Sequence, residues 1–239
     1  MADSQVDQLP TIGVGVFIAP QKEPTGGTVL PVLASAPNPT GHPWKTELSL
    51  FSPAGGPFNG TFRYNDGGAW QESPVAFTTD PGSSKYFDDF LQEMGLTGGI
   101  GYLIFDSAFI PAARIWSGDA MGTSMGQAIP ALGQGQATVH HWLPGYLPGA
   151  AYRLNLGIEN LEAGDAFCQA VLWSASHEKL GESILGCPAR GLVQQNAATV
   201  FGPLPTGIAG VIELACDGPV FAYVSLVDGT TSDATFFSD

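Results

Sequence analysis

The chain has 239 residues, of which 44% are hydrophobic and only 13% are charged, and its formal net charge is −14. Because it contains only 8 Lys and Arg residues, it lacks the basic surface that nucleic acids and anionic membranes attract, and we expect neither partner. No apolar run is long enough for a membrane span, and the first residues show no signal-peptide pattern. The 32 Gly and 19 Pro residues follow no collagen period and favour many short strands joined by tight turns.

Residues 1–27 are interpreted as an N-terminal arm that contains one strand-like, apolar segment. The apolar residues of this candidate assembly strand are Ile12, Val14, Val16, Phe17 and Ile18. Residues 16–20 resemble residues 127–131, and each of these segments precedes a similar stretch of sequence. The arm is therefore expected either to cover the first domain of its own chain or to pair with an open sheet edge of a neighbouring subunit.

Two segments of the chain recur in the same order. The strand pattern that begins at Trp44 recurs at Tyr152, 108 residues later, and the pattern at Ile110 recurs at Val220, 110 residues later. In the first pair, apolar and polar residues alternate with the period of a half-buried strand. The repetition predicts an all-β protein of two duplicated domains, residues 28–131 and 132–239.

Each repeat also contains a hairpin, a short helical turn and a pair of apolar strands. The first hairpin is predicted to turn at Asn65–Gly68 and the second near His177. Residues 87–94 have helical spacing and are followed by Gly95, which favours the end of a helix, while residues 194–200 give a weaker signal. The second apolar strand of each repeat, beginning at Ile110 or Val220, is apolar on both faces and is predicted to be central in its sheet.

The three cysteines leave one thiol unpaired if any disulfide forms within the chain. With the second hairpin centred between His177 and Glu178, Cys168 would face Cys187 across the two strands. A Cys168–Cys187 disulfide is therefore predicted, with two buried thiols as the alternative. Cys216, which precedes a turn, is expected to be free.

Four aromatic residues in or near turns and hairpins could stack on sugar rings. These candidates are Trp70, Trp142, Tyr146 and Trp173. The alternative is that they fill the boundary between two sandwiches or a subunit contact, as buried aromatic residues commonly do.

Acidic residues near residues 80–93, with Asp88 and Asp89 at their centre, could bind calcium, although their spacing matches no known calcium loop. Alternatively, these acidic residues stabilise the N-terminus of a short helix through its dipole. Gly122–Gly126 fits the G-x-S-x-G pattern, and His140 and His141 could bind a metal. However, β and turn flanks do not suit a nucleophile elbow, and adjacent strand residues point to opposite faces. We expect no enzyme, no catalytic set and no resident cofactor.

The whole pattern, closing with residues 227–236 (Val-Asp-Gly-Thr-Thr-Ser-Asp-Ala-Thr-Phe), resembles a repeated β-sandwich domain of uncharacterised function that occurs in predicted secreted and surface proteins of bacteria. The resemblance covers residues 28–239, although the first repeat departs from the closing motif. It implies two tandem immunoglobulin-like β-sandwiches, each with one short helical turn, and no catalytic residues.

The function expected from these features is that of a non-enzymatic extracellular or cell-surface structural protein. Such a protein could be a surface-layer or filament subunit whose N-terminal strand pairs with its neighbour. The alternative is a carbohydrate- or surface-binding adhesion module that uses the exposed aromatic residues.

Overall fold

The computed structural model describes most of the chain, and most of the described residues lie in β-strands. The described residues are 27–37, 43–105, 109–118, 124–145, 149–204, 207, 209–231 and 233–239. Every strand pair in these ranges is antiparallel, and their helices are short, so the predicted all-β class is confirmed. The candidate assembly strand of the arm lies outside the described residues.

The first half of the chain forms two sheets. Its elements are β1 (Thr28–Ser35), β2 (Lys45–Ser52), β3 (Gly56–Asn65), β4 (Gln71–Thr79), β5 (Ser83–Phe87), α1 (Phe90–Glu93), β6 (Gly99–Phe105), β7 (Ile110–Gly118), β8 (Ser124–Ile129) and β9 (Leu132–Gly133). Sheet A has the order β4-β3-β6-β1-β9, and sheet B has the order β5-β2-β7-β8. Although β9 belongs to the second predicted repeat, it pairs with the beginning of β1.

The second half forms two further sheets that share one long strand. Its elements are β10 (Thr138–Pro144), β11 (Tyr152–Asn160), β12 (Ala166–Ser174), β13 (Lys179–Cys187), β14 (Gly191–Asn196), α2 (Ala197–Phe201), β15 (Gly210–Asp228) and β16 (Ala234–Ser238). As far as Cys216, β15 pairs with β12, and it also pairs with β10, which gives sheet C the order β13-β12-β15-β10. From Phe221 onward it pairs with β11 and β16, which gives sheet D the order β14-β11-β15-β16.

The strand order is the same in both halves when β15 is counted in each of its two parts. Sheet A without β9 corresponds to sheet C, and sheet B corresponds to sheet D. The predicted offset of 110 residues for the last repeated strand is one residue too small. Leu48 faces Ala113 and Leu156 faces Val224, so Val224, not Tyr223, is the counterpart of Ala113. Because the segment after Val220 is apolar on both faces, its register cannot be inferred from the sequence pattern.

Alternation places one set of side chains from each strand in a core between the two sheets of each half. In the first half, Leu48, Leu50 and Phe62 belong to one buried cluster. In the second half, Leu154 and Ile158 belong to another. The period-two pattern in the sequence thus sets the inner face of each sandwich.

Each half carries one short helix at the same place in its strand order. Asp89 caps α1 by accepting a hydrogen bond from the backbone N–H of Gln92, and Asn196 caps α2 through Ala198. Gly95 follows α1 with a φ of 83°, a conformation that glycine adopts without steric cost. The predicted helical turn before Gly95 is confirmed.

The outer face of sheet A packs against the outer face of sheet D, and we call this boundary the seam. Tyr102, Leu192 and Tyr223 are buried in one cluster there, while Val29 and Phe221 are buried in another. The seam explains why the second part of β15 is apolar on both faces.

β7 pairs with β2 and β8 and is therefore central in sheet B, as predicted, but its outer face is exposed. Ile110, on that face, is 51% exposed, and Arg114 is exposed as well. β7 is thus a central strand of which only one face is buried.

Candidate functional site

The outer face of sheet C exposes several large apolar side chains, and we call it the aromatic face. Its core-facing neighbours, such as Leu143, Leu172 and Leu214, are buried, so the alternate residues of the same strands point outward. The outward residues of the aromatic face are His140, Trp142 and Pro144 on β10, Phe167, Gln169, Val171 and Trp173 on β12, Glu182 and Ile184 on β13, and Val211 and Glu213 on β15.

Two of the predicted sugar-stacking residues lie on this face, on either side of Glu213. Trp142 is directly opposite Glu213 in the strand ladder and is 58% exposed. The indole N–H of Trp173 donates a hydrogen bond of 2.8 Å to the Glu213 carboxylate. Because one strand separates β10 from β12, these two strands are about 10 Å apart, and Trp173 lies two residues along the sheet from the row of Trp142. The hydrogen bond holds the Trp173 ring in a fixed orientation beside the carboxylate.

Further apolar and polar side chains extend the aromatic face toward β13. Ile184 is 64% exposed and Phe167 is 52% exposed. Gln169 donates a hydrogen bond to Glu182, and the Lys179 ammonium lies 2.6 Å from the same carboxylate. These contacts, with that of Lys179 the larger, lower the pKa of Glu182. Flat apolar surface with fixed hydrogen-bonding groups suits a sugar, and exposed apolar surface also suits a protein partner.

The other two sugar-stacking candidates do not join this face. Trp70 is half-buried in the seam, where its ring centroid lies 6.0 Å from that of Tyr102. A Cβ added to Gly191 would lie 2.9 Å from the indole nitrogen of Trp70, so the second half closes over this ring. Trp70 thus follows the alternative reading, in which an aromatic residue fills the boundary between two sandwiches. Tyr146 lies outside the described residues.

The edges of sheets A and C differ in how readily they could accept another strand. Edge strand β4 contains Pro74, which has no N–H to donate. Edge strand β10 ends at Pro144, and the backbone N–H of Trp142, on its free side, donates to the Asp239 carboxylate at 3.2 Å. Edge strand β13 contains no proline and carries the exposed Ile184 side chain. Of these three edges, β13 is the most open to pairing.

The predicted disulfide between Cys168 and Cys187 is wrong. The hairpin register places Cys168 opposite Leu185, two residues from the predicted partner. On its other side Cys168 faces Cys216 in β15, and these two form the disulfide. Cys187 is the free, buried cysteine, and its thiol donates to the backbone carbonyls of Ile158 and Gly191.

The predicted calcium-binding acids have local partners instead of a shared centre. Asp88 lies 2.6 Å from the Lys45 ammonium, and Asp89 caps α1. Among the described residues, no group of three or more His, Cys, Asp or Glu side chains could hold a metal ion together. His141 is buried in β10, whereas the neighbouring His140 is exposed on the opposite face.

Sequence reasoning missed the buried carboxyl group of Glu159. Its strand, β11, alternates so cleanly that Arg153, Asn155 and Glu159 were all expected on a solvated face. Instead, Asn155 is 8% exposed and Glu159 is 0% exposed, because sheet A covers this part of sheet D. The signal that could have revealed the cover is the neighbouring strand, which is apolar on both faces.

No protein-family model matches the chain, and no curated protein matches it closely enough to indicate a relative. The resemblance to a repeated surface-protein domain therefore stays a prediction. Within the described residues, no helix is both long and apolar enough to cross a membrane.

Proposed function

We propose that the protein is a non-enzymatic, extracellular structural protein, built of two duplicated immunoglobulin-like β-sandwiches, that assembles with copies of itself. The identical strand order of the two halves supports the duplication. The Cys168–Cys216 disulfide supports an extracellular or cell-surface location, because disulfides persist in oxidising compartments. The acidic, lysine-poor composition suits a soluble surface protein.

The observation that carries the assembly proposal is the exposed aromatic face beside an open strand edge. Ile184 and Phe167 are both more than half exposed on the adjacent strands β13 and β12, and contiguous exposed apolar surface marks sites of interaction. In our proposal the N-terminal assembly strand of one subunit pairs with β13 of the next and covers part of this face. Such a head-to-tail contact builds a filament unless its rotation closes a ring.

A light-scattering comparison of the full chain with three variants tests this proposal. The full chain should form assemblies whose size grows with concentration, whereas deletion of residues 1–26 and the substitution Ile184→Lys should each leave monomers. Ile110→Lys is the matched control, since Ile110 is also an exposed apolar residue, 51% exposed, but lies on sheet B. Unchanged assembly after the deletion would rule out strand donation.

A second candidate function, carbohydrate binding, is favoured by the arrangement of Trp142 and Trp173 around Glu213. Two aromatic rings on strands about 10 Å apart can stack on sugar units of one chain, while the carboxylate between them accepts hydrogen bonds from hydroxyl groups. The acidic charge of Glu213 favours neutral or amino sugars over sulfated ones.

Glycan-array screening separates this candidate from assembly. Binding by the wild-type protein should be lost in Trp142→Ala and Trp173→Ala and retained in Tyr86→Ala, which removes an exposed aromatic residue from sheet B. An array on which the wild-type protein binds no glycan, or on which all variants bind equally, would argue against a sugar site on the aromatic face.

A further inference from the structure

Glu159 is a fully buried carboxyl group in the seam between the two sandwiches. Its exposed fraction is 0%, and neither carboxylate oxygen has a hydrogen-bond partner. In the strand ladder it lies between Leu192 and Phe221, which belong to the buried clusters of the seam. The carboxyl group thus has apolar side chains on both sides.

The polar groups around Glu159 offer it no cation. Tyr102 on β6 reaches the same region from sheet A, and its hydroxyl is also buried and without a partner. Tyr223 on β15 donates its hydroxyl to Gln194, and the Cys187 thiol at the end of β13 donates to backbone carbonyls. None of these groups can neutralise a carboxylate.

Of the charged side chains nearest this region, that of Arg63 is paired elsewhere. Arg63 on β3 pairs with Glu72 and donates a second hydrogen bond of 3.3 Å to the backbone carbonyl of Arg190. Arg190 lies in the turn between β13 and β14, and Asp165, before β12, accepts from the backbone N–H of Ala189. No ion pair among the described residues includes Glu159.

We propose that Glu159 is a proton-binding site that controls the seam: the two sandwiches stay packed while its carboxyl group is protonated and separate when the proton is lost. An isolated carboxylate in an apolar environment is far more costly than a neutral carboxyl group. In agreement, burial raises the pKa of Glu159 well above its ordinary value.

The sign of the pH effect follows from the raised pKa. In the closed state Glu159 keeps its proton, whereas in the open state water lowers its pKa toward the ordinary value of 4.5. Raising the pH above the ordinary pKa therefore favours the open state. The effect continues until the pH passes the pKa of Glu159 in the closed state, and these two pKa values bound the pH window. Within this window the ratio of open to closed molecules rises about tenfold per pH unit.

Because Cys187 lies in the core of the second sandwich, the reporter is a cysteine placed in the seam by Val29→Cys, in a chain whose Cys187 is replaced by alanine and whose other two cysteines stay joined in the disulfide. Its labelling by a dithiodipyridine reagent is measured from pH 4.5 to pH 8, and each rate is divided by that of the urea-unfolded protein at the same pH. The division removes the intrinsic pH dependence of the thiol. In the reporter chain that keeps Glu159 the corrected rate should rise with pH, about tenfold per unit within the window.

The matched variant is Glu159→Gln, which has the same shape and cannot lose a proton. Its corrected labelling rate should stay low and independent of pH. Small-angle scattering provides the second readout: the radius of gyration should grow with pH for the wild type only, with unchanged far-ultraviolet circular dichroism. If Glu159→Gln does not fold, Glu159→Leu replaces it. Equal pH dependence in the chain that keeps Glu159 and in the folded variant, or a constant corrected rate in the reporter chain that keeps Glu159, would overturn the proposal.

Discussion

The ring of Tyr223 lies over the backbone of Gly157, its direct partner in the neighbouring strand of sheet D. A Cβ built on Gly157 would overlap three atoms of the Tyr223 ring. The ring occupies the space of the missing side chain and stacks at 4.8 Å on Phe236. Its hydroxyl donates a hydrogen bond of 3.0 Å to Gln194. Gly157 thus allows a large aromatic residue to lie within the seam.

Replacement of Gly157 by alanine should destabilise the protein. The added methyl group must displace Tyr223, and overpacking of this kind costs about 1–3 kcal/mol of the free energy of unfolding. Urea denaturation followed by circular dichroism measures the loss. Gly135→Ala is the control, since a Cβ at Gly135 meets nothing within 4 Å. Equal effects of the two substitutions would contradict the packing role of Gly157.

Local patterns in the sequence predicted much of the fold. The alternation around Leu48 and Leu156 identifies the inner faces of sheets B and D, and Gly95 marks the end of α1. These predictions succeed because strand alternation and helix termination depend on neighbouring residues. The continuous path of β15 could not be predicted in this way, since Asp217–Pro219 (Asp-Gly-Pro) reads locally as a turn.

The sites depend on contacts between distant segments and were predicted less well. Cys168 has a neighbour on each side in its sheet, and the sequence shows only the hairpin partner strand, not β15. Glu159 looks solvated because the sequence does not show that sheet A covers sheet D. Trp142 and Trp173 were identified singly, whereas their placement around Glu213 needs the strand order of sheet C.

Thr46 joins the two sheets of the first sandwich, and its removal should be costly. Its hydroxyl donates to the carbonyl of Ala34 at 2.9 Å and accepts from the N–H of the same residue at 2.8 Å. Thr46→Val keeps the shape but leaves two backbone groups without this partner at a site that is 0% exposed, which should cost about 1–3 kcal/mol. Thermal unfolding measures the effect, and Thr78→Val, at an exposed position, should leave the stability nearly unchanged.

Removal of the disulfide should destabilise the second sandwich. Cys168 and Cys216 are 48 residues apart, and a crosslink of this length stabilises by about 4 kcal/mol in the chain-entropy description. The double substitution of both residues by alanine should lower the urea midpoint accordingly. Thiol titration of the unfolded, unreduced chain should find one thiol in the wild type and none in Cys187→Ala. A thiol that persists in Cys187→Ala would contradict the pairing.

His141 should limit the stability of the protein on the acid side. Burial lowers the pKa of His141. The Asp239 carboxylate, 3.7 Å from its Nδ1 atom, acts in the opposite direction but offsets the effect of burial only in part. The unfolded chain therefore binds a proton more readily than the folded chain, and stability should fall as the pH drops below the ordinary histidine pKa of 6.5.

The effect of His141 has the opposite sign to that of Glu159, whose raised pKa makes stability fall as the pH rises above 4.5. Melting temperatures measured from pH 4.5 to pH 8 should separate the two groups. His141→Gln should flatten the acid side of the profile, and Glu159→Gln should flatten the alkaline side. If the acid side of the profile stays equally steep in folded His141→Gln, another group must cause the loss of stability. Burial of the neutral His141 imidazole would then contribute nothing to the proton linkage.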